Sequence, residues 1–356
     1  MSGVLLPDHG AGQWHPPLIV LGGPTATGKT GLALDTAVAL MDAGVEAAIV
    51  NADAMQLYRG MDVGTAKTPV AERRDVPHYL FDRLDVTERA SVADYQTAAR
   101  AAIMQLQRRG VVPLLVGGSG LYIEAVIHEL DFPGSDPDVR ERLQAELAEH
   151  GAEPLLDRLR EADPEAAARL ADADDRRLVR AVEVLELTGH APQVRLPAPP
   201  LPWRPYQMIV IDALDREALA QRIHERAEHM WASGLAGETD RLLAAGLRGG
   251  PTAGRAIGYA QAIEFLDGKL TAAQAVDEIA AATVRLAKRQ RTWFRRYDDA
   301  TVLDADGIAP DSGKALAATV IADLVMQTTG SLHRRRARWE DEEAGGAFDA
   351  IFRRLN

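Results

Sequence analysis

Eight residues constrain this chain more than any others. Gly23-Pro24-Thr25-Ala26-Thr27-Gly28-Lys29-Thr30 follows the apolar run at residues 18–21 and precedes a helix-like stretch at 32–37. The spacing G-x-x-x-x-G-K-T between a buried strand and a helix predicts a phosphate loop, whose glycines let successive backbone N–H groups turn inward toward oxyanions. Lys29 adds a point charge, and the Thr30 hydroxyl is placed to ligate Mg²⁺. Gly23, Thr25, Ala26, Thr27, Gly28, Lys29 and Thr30 are therefore the candidate phosphate-binding residues. Kinases, NTPase switches and enzymes that expel diphosphate all use such a cradle, so the loop defines a ligand type and leaves the reaction open.

A second apolar run, residues 47–50, delivers Asn51-Ala52-Asp53-Ala54-Met55-Gln56 to its C-terminal end. Ligands gather at that edge of open α/β sheets, so Asp53 is expected to face the phosphate site, with a capping or turn role as the alternative. A third run, residues 111–116, ends in Gly117-Gly118-Ser119-Gly120. Motor and switch NTPases usually place an acidic residue there for the magnesium shell. Here the bare backbone permits close approach by a ligand, and Ser119 offers a hydroxyl. Ser91 and Asp94 have capping-box spacing before a helical stripe at 91–109. Residues 61–85 have no clean period and read as loop, with His78 a loop or capping histidine.

From about residue 131 the alternation stops and four helical patterns follow, over 140–150, 153–162, 165–170 and 176–188, with Pro137, Pro154 and Pro164 near their starts. Six prolines between Pro192 and Pro205 make a stiff connector, after which residues 207–211 return as a strand. The expected fold is α/β, a parallel sheet core like that of the P-loop NTPases, with an inserted helical subdomain and a helical C-terminal part. The core is discontinuous, 17–128 and 206–325; the insertion and connector are 129–205; residues 1–16 and 326–356 are expected to be flexible ends. A length of 356 residues suits such a division. The absence of cysteine rules out disulfides and thiolate chemistry. With no membrane-length apolar run and no signal-peptide pattern, a cytoplasmic protein with no membrane partner is expected. No metal cluster of His, Asp and Glu stands at ligand spacing.

The net charge of −12 argues on its face against a nucleic-acid partner. Averages hide patches, however. Residues 285–297 hold six basic residues and no acidic one, Arg285, Lys288, Arg289, Arg291, Arg295 and Arg296. Arg176, Arg177 and Arg180 form a smaller cluster, either a solvated face or a phosphate contact. In the longer patch Trp293, Phe294 and Tyr297 read as core anchors, while the unopposed arginines are better explained by a polyanion. Arg255 lies in the glycine-flanked loop 254–259. In the helix predicted at 216–233, counting about 100° per residue from Leu219 puts Arg226 near 340°, inside the apolar stripe of Ile223 and Met230. A buried guanidinium is costly unless paired. Either a structural carboxylate answers Arg226, or it points into a site for anions.

Taken in order, the phosphate loop, then Asp53-Ala54-Met55-Gln56-Leu57-Tyr58-Arg59-Gly60-Met61-Asp62-Val63-Gly64-Thr65-Ala66-Lys67, then Gly117-Gly118-Ser119-Gly120-Leu121-Tyr122 strongly resemble the tRNA dimethylallyltransferases. Arg176-Arg177-Leu178-Val179-Arg180-Ala181, Gly258-Tyr259 and Lys288-Arg289-Gln290-Arg291-Thr292-Trp293 extend the resemblance, which runs from about residue 18 to 297. It implies prenyl transfer from dimethylallyl diphosphate to N6 of the adenosine beside the anticodon, in tRNAs that read codons beginning with U. It further implies that the loop grips the diphosphate of that donor with Mg²⁺ as cofactor. Asp53 would accept the proton of the attacking amine, and Arg226 would stabilise the charge of the transferring group. The tRNA anticodon stem-loop would meet Asp53, Ala54, Met55, Gln56, Ser119, Arg176, Arg177, Arg180, Arg255, Lys288, Arg289, Arg291 and Arg295, with a monomer as the working unit. Ala54 and Ala260 depart from the pattern, where many members carry Ser and Arg. A small-molecule kinase, an AMP isopentenyltransferase and a non-catalytic RNA-binding protein are the competing readings.

Overall fold

The computed structural model describes residues 16–130, 132–171, 174–191, 201–309 and 311–328, so the expected flexible ends fall almost wholly outside it. Its sheet is built from β1 (Leu18–Gly22), β2 (Ala47–Asn51), β3 (His78–Tyr79), β4 (Val112–Val116), β5 (Tyr206–Asp212) and β6 (Thr301–Asp304), in the order β3-β2-β4-β1-β5-β6. Every neighbouring pair is parallel. β1, β2 and β4 are buried at every position. A parallel sheet covered on both faces requires continuous apolar runs of this kind.

Helix α1 (Lys29–Asp42) covers one face, where Leu32, Leu40 and Ile49 share a core with Leu316 and Val320. α2 (Val92–Arg108) and α3 (Gly120–Ile127) cover the other through Tyr95, Ile103, Ile123 and Val126. Ser91 caps α2 by accepting from Asp94 N at 3.3 Å. Then come α4 (Pro137–His150), α5 (Glu153–Ala162), α6 (Pro164–Leu170) and α7 (Asp175–Thr188). They form a separate compact unit, His128–Leu201, around Leu143, Leu155, Leu159 and Val182. Within it the buried Glu183 carboxylate accepts from Arg140, Arg180 and the backbone N–H of Asp136.

After β5 the chain builds α8 (Arg216–Ala232), α9 (Leu235–Ala244), α10 (Tyr259–Leu266), α11 (Ala272–Phe294) and α12 (Ser312–Thr328). α8 to α11 enclose a third apolar core around Leu219, Ile223, Leu235, Tyr259 and Ile279. α12 packs on α1, where Gly313 stands so close that a Cβ would come within 2.4 Å of Asp35 Cβ.

Three expectations need revision. Residues 61–85 are not all loop, because His78 and Tyr79 pair with Ile49 and Val50 of β2 as a two-residue strand, too short to show a period. Residues 202–205 belong with the core: Trp203 N donates to Ile127 O at 2.8 Å, and the Arg100 guanidinium lies 4.7 Å above the Trp203 ring. Residues 326–328 continue α12 and are not part of a tail.

A Cβ at Gly117 would lie 2.1 Å from Ala52 O, a backbone atom that cannot yield. Gly117→Ala is expected to cost about 2–3 kcal/mol through overpacking, read as a lower urea midpoint with an unchanged slope.

Candidate active site

The phosphate loop is held in place by its own backbone and by β5. Gly23 has φ 137°, and a Cβ there would stand 2.1 Å from Ile211 O. Ala26 and Gly28 take left-handed φ values of 62° and 83°, which turn the chain back on itself; such strain at a non-glycine residue is common in ligand clamps. The Thr27 hydroxyl donates to Pro24 O at 2.8 Å, and Lys29 Nζ donates to the same carbonyl. Gly23 and Thr27 thus shape the loop, while Thr25, Ala26, Gly28, Lys29 and Thr30 line a cavity of about 210 Å³. No side chain caps α1 at Gly28, which leaves its first N–H groups open toward an anion.

Asp53 stands just beyond β2. Asn51, itself buried, accepts from Asp53 N at 2.8 Å and donates to Asp53 O and Leu80 O, both at 3.0 Å, which locks the turn. Asp53 Oδ1 accepts from Met55 N at 2.9 Å. The turn role and the site-facing role therefore coexist, one carboxylate oxygen serving the turn while the residue lines the cavity. Arg226 reaches the same place from α8 and, among the described residues, makes no hydrogen bond or ion pair. Burial disfavours its charge and Asp53 favours it. No carboxylate among the described residues forms an ion pair with Arg226, which lines the cavity together with Asp53.

A second cavity of about 570 Å³ adjoins the first and is lined largely by apolar groups, including Met55, Tyr122, Ile223, Met230, Ile279 and Trp293. Thr25, Asp53, Thr65, Gly118, Arg226 and Gln290 line both. These six residues form a neck between a polar phosphate chamber and an apolar chamber, with an acceptor (Asp53) and a cation (Arg226) in it.

Sequence reasoning missed the scaffold of this neck. Buried Glu238 on α9 accepts from the N–H groups of Asp62, Val63 and Gly64 at 2.9–3.2 Å and from Tyr259 Oη at 2.6 Å. Gly64 must be glycine, since a Cβ would come within 2.4 Å of the Tyr259 ring. Lys67 donates to Tyr58 O at 2.9 Å and to Asp62 and Asp82 at 2.6 Å each. The segment 62–67 so held presents Thr65 to the neck, and Gln56 Nε2 donates to Thr65 O at 3.1 Å. α9 carried no signal of its own because its anchor is a glutamate on an otherwise ordinary amphipathic turn. His78 lines the phosphate chamber beside Phe81.

The residues expected to meet RNA divide. Ala54 and Met55 line the apolar chamber, Gln56 the phosphate chamber, and Ser119 the apolar chamber while its Oγ accepts from Ala54 N at 3.1 Å. Arg255, Lys288, Arg289 and Arg295 are exposed. Arg291 is a correction: it donates to Asp212 Oδ1 at 2.8 Å and to Ala213 O, tying α11 to the end of β5. Its charge is answered within the fold. In the helical unit Arg176 and Arg177 are exposed, whereas Arg180 is engaged with Glu183, Pro133 O and Gly134 O.

Burial, reinforced by Arg226 and opposed by Asp53, lowers Lys29 from 10.5 to about 7. A lysine so placed loses its proton as the pH rises through about 7, and an anion bound beside it would favour the ammonium and draw a proton from solvent. Calorimetry of inorganic diphosphate with Mg²⁺ at pH 8.5, in buffers of differing ionisation enthalpy, is expected to show proton uptake that disappears below pH 6 and is diminished in Lys29→Met.

Residues 56–297 match the family model described as IPP transferase. A tRNA dimethylallyltransferase of Clavibacter sepedonicus is 52% identical over 289 residues, covering 81% of this chain and 94% of that protein. Another, from Salinispora arenicola, is 50% identical over 303 residues, covering 85% and 86%. Among solved structures, the full-length tRNA isopentenylpyrophosphate transferase of Bacillus halodurans aligns with a TM-score of 0.62 at 35% identity, over 89% of this chain and 99% of that one. With a family model that spans more than half of its length and relatives about half identical to it over most of theirs, the chain belongs to the IPP transferase family.

Proposed function

We propose that this chain transfers the dimethylallyl group of dimethylallyl diphosphate to N6 of the adenosine next to the anticodon in tRNA, releasing diphosphate. The observation that carries the reading is the neck, where a phosphate cradle opens directly onto an apolar chamber past Asp53 and Arg226. A kinase would have to transfer the phosphoryl group that this loop encloses. Here the enclosed group is the one that stays behind.

In the transfer, the N6 lone pair forms a bond to C1 of the prenyl chain as the C1–O bond breaks, and the electron pair of that bond leaves with the diphosphate. An exocyclic adenine amine is a poor nucleophile because its lone pair is delocalised into the ring. Asp53 at the neck accepts the N6 proton as positive charge develops. Negative charge growing on the leaving diphosphate meets the open N–H groups of α1, Lys29 and Arg226. The target base must leave its stack to reach the neck, and the apolar chamber is large enough for a purine and a five-carbon chain.

For Mg²⁺, the donor set fits a metal held mostly by its substrate. Thr30 presents an exposed hydroxyl beside the phosphate chamber, and the described residues contain no group of three or more His, Cys, Asp or Glu that could cage a metal. A single hydroxyl with phosphate oxygens and water suits Mg²⁺. Bound there, it would neutralise charge on the departing diphosphate. A monomer as the working unit belongs to the same reading, and a tRNA substrate supports a cytoplasmic setting.

Incubation with unmodified tRNA, Mg²⁺ and labelled dimethylallyl diphosphate, then digestion to nucleosides, is expected to yield label on adenosine N6. Label on free AMP in the absence of tRNA would replace the tRNA reading, and no label on either would overturn transfer altogether. Asp53→Asn is expected to lower kcat by about 10²- to 10⁴-fold with tRNA affinity retained. Among the basic residues, Arg289→Ala should reduce the salt slope of tRNA binding by about one unit at unchanged stability. Arg291→Ala should instead leave the slope alone and cost about 1–3 kcal/mol of stability, because Asp212 loses its charge partner and keeps only the bond from Ala213 N.

A further inference from the structure

We infer that Gln290 is a positioning residue for the transfer, clasping the phosphate loop to the glycine turn after β4 and so setting where Thr25 stands in the neck. The inference rests on the transfer reading above.

Gln290 lies on α11, remote in sequence from both of its partners. Its Oε1 accepts from Thr25 N at 2.9 Å, and its Nε2 donates to Gly118 O at 2.9 Å. The two bonds need an acceptor and a donor on one planar group, at the reach of a four-atom side chain. A carboxylate supplies only acceptors and a methionine essentially neither. The approach is close enough that a Cβ on Gly118 would come within 2.4 Å of Nε2. The neighbouring turn of α11 makes the same kind of contact: a Cβ on Gly22 would meet the Phe294 ring at 2.5 Å, and one on Gly120 the Trp293 ring at 2.3 Å. Residues 290, 293 and 294 share one helix face, and that face is seated on three glycines at the ends of β1 and β4.

Two consequences follow for the chemistry. The Thr25 N–H is committed to Gln290, so the anion cradle begins at Ala26. The clasp also joins three of the six neck residues, Thr25, Gly118 and Gln290, into one unit facing Asp53 and Arg226. A loop free to shift there would let the diphosphate bind while C1 of the donor sat off line from N6. Displacements of the order of 1 Å are enough to slow a reaction by roughly 10²-fold.

The test compares wild type with Q290M, which keeps length without the bonds, and Q290E, which keeps the Thr25 bond and sets a carboxylate oxygen against Gly118 O. The expected result for both is a kcat for transfer to tRNA lowered by about 10- to 100-fold, with KM for tRNA within threefold. Affinity for inorganic diphosphate with Mg²⁺, measured by calorimetry, should be unchanged or tighter in Q290M, because the Thr25 N–H is released to the ligand. A kcat within threefold of wild type overturns the inference. So does a fall in kcat matched by an equal loss of diphosphate affinity, which would mark Gln290 as merely holding the fold. If Q290M does not fold, Q290L, which also lacks both bonds and adds no charge, is judged by the same limits. A wild-type protein that transfers nothing to tRNA removes the function reading itself, whereas transfer by wild type with full-rate variants removes only this one.

Discussion

The approach of α11 to the carboxyl ends of β1 and β4 is the constraint on which the site depends. Gly22, Gly118 and Gly120 present bare backbone there, and Phe294, Gln290 and Trp293 lie against it. Arg291 holds the same helix to β5 through Asp212, and Arg296 reaches Glu124 of α3 at 3.4 Å. α11 consequently belongs to two cores, giving Phe294 to the sheet and Ile279, Ala280 and Ala287 to the helical layer. A side chain on any of the three glycines would lift the helix, and the gap between sheet edge and helical layer is the neck itself.

Charge in this site is sorted by whether the fold answers it. Glu238 and Lys67 are buried and fully partnered, by backbone N–H groups and Tyr259 in one case and by two carboxylates and a carbonyl in the other. They hold the segment 62–67 in shape, as satisfied buried polar groups do. Lys29 and Arg226 differ: burial lowers both, and the carboxylate that favours their charge is Asp53, which is itself in the neck. Lys29 donates to a carbonyl of its own loop and, among the described residues, Arg226 has no hydrogen-bond or ion-pair partner; perturbed groups of this kind in a cleft are candidates for a functional site.

Most of the sheet could be read from the chain because its central strands are continuous apolar runs and its first loop has a fixed spacing. β3 and β6 could not. Two paired residues at the sheet edge have no period, and β6 is only partly buried, so its residues carry little pattern. Asp53 was legible as a residue at the C-terminal end of a strand, and Arg226 as a cation inside an apolar stripe. Neither observation could say that they line one neck. Arg291 illustrates the converse, since its place in an acid-free basic run pointed to RNA while its partner, Asp212, stands 79 residues away at the end of another strand.

The sequence by itself determined the phosphate loop, the parallel core interrupted by a helical unit, and the candidacy of Asp53 and Arg226 as site residues. Each of these is carried by local spacing, periodicity or an ordered series of motifs. Only the tertiary structure decided which arginines remain free, which glutamate shapes the segment beside the neck, and what the glycines after β4 are for. Read locally, they invite a ligand. In the fold they admit a helix, because the space above a strand end is claimed by whichever element packs there, and long-range packing leaves no trace in the spacing of a single segment.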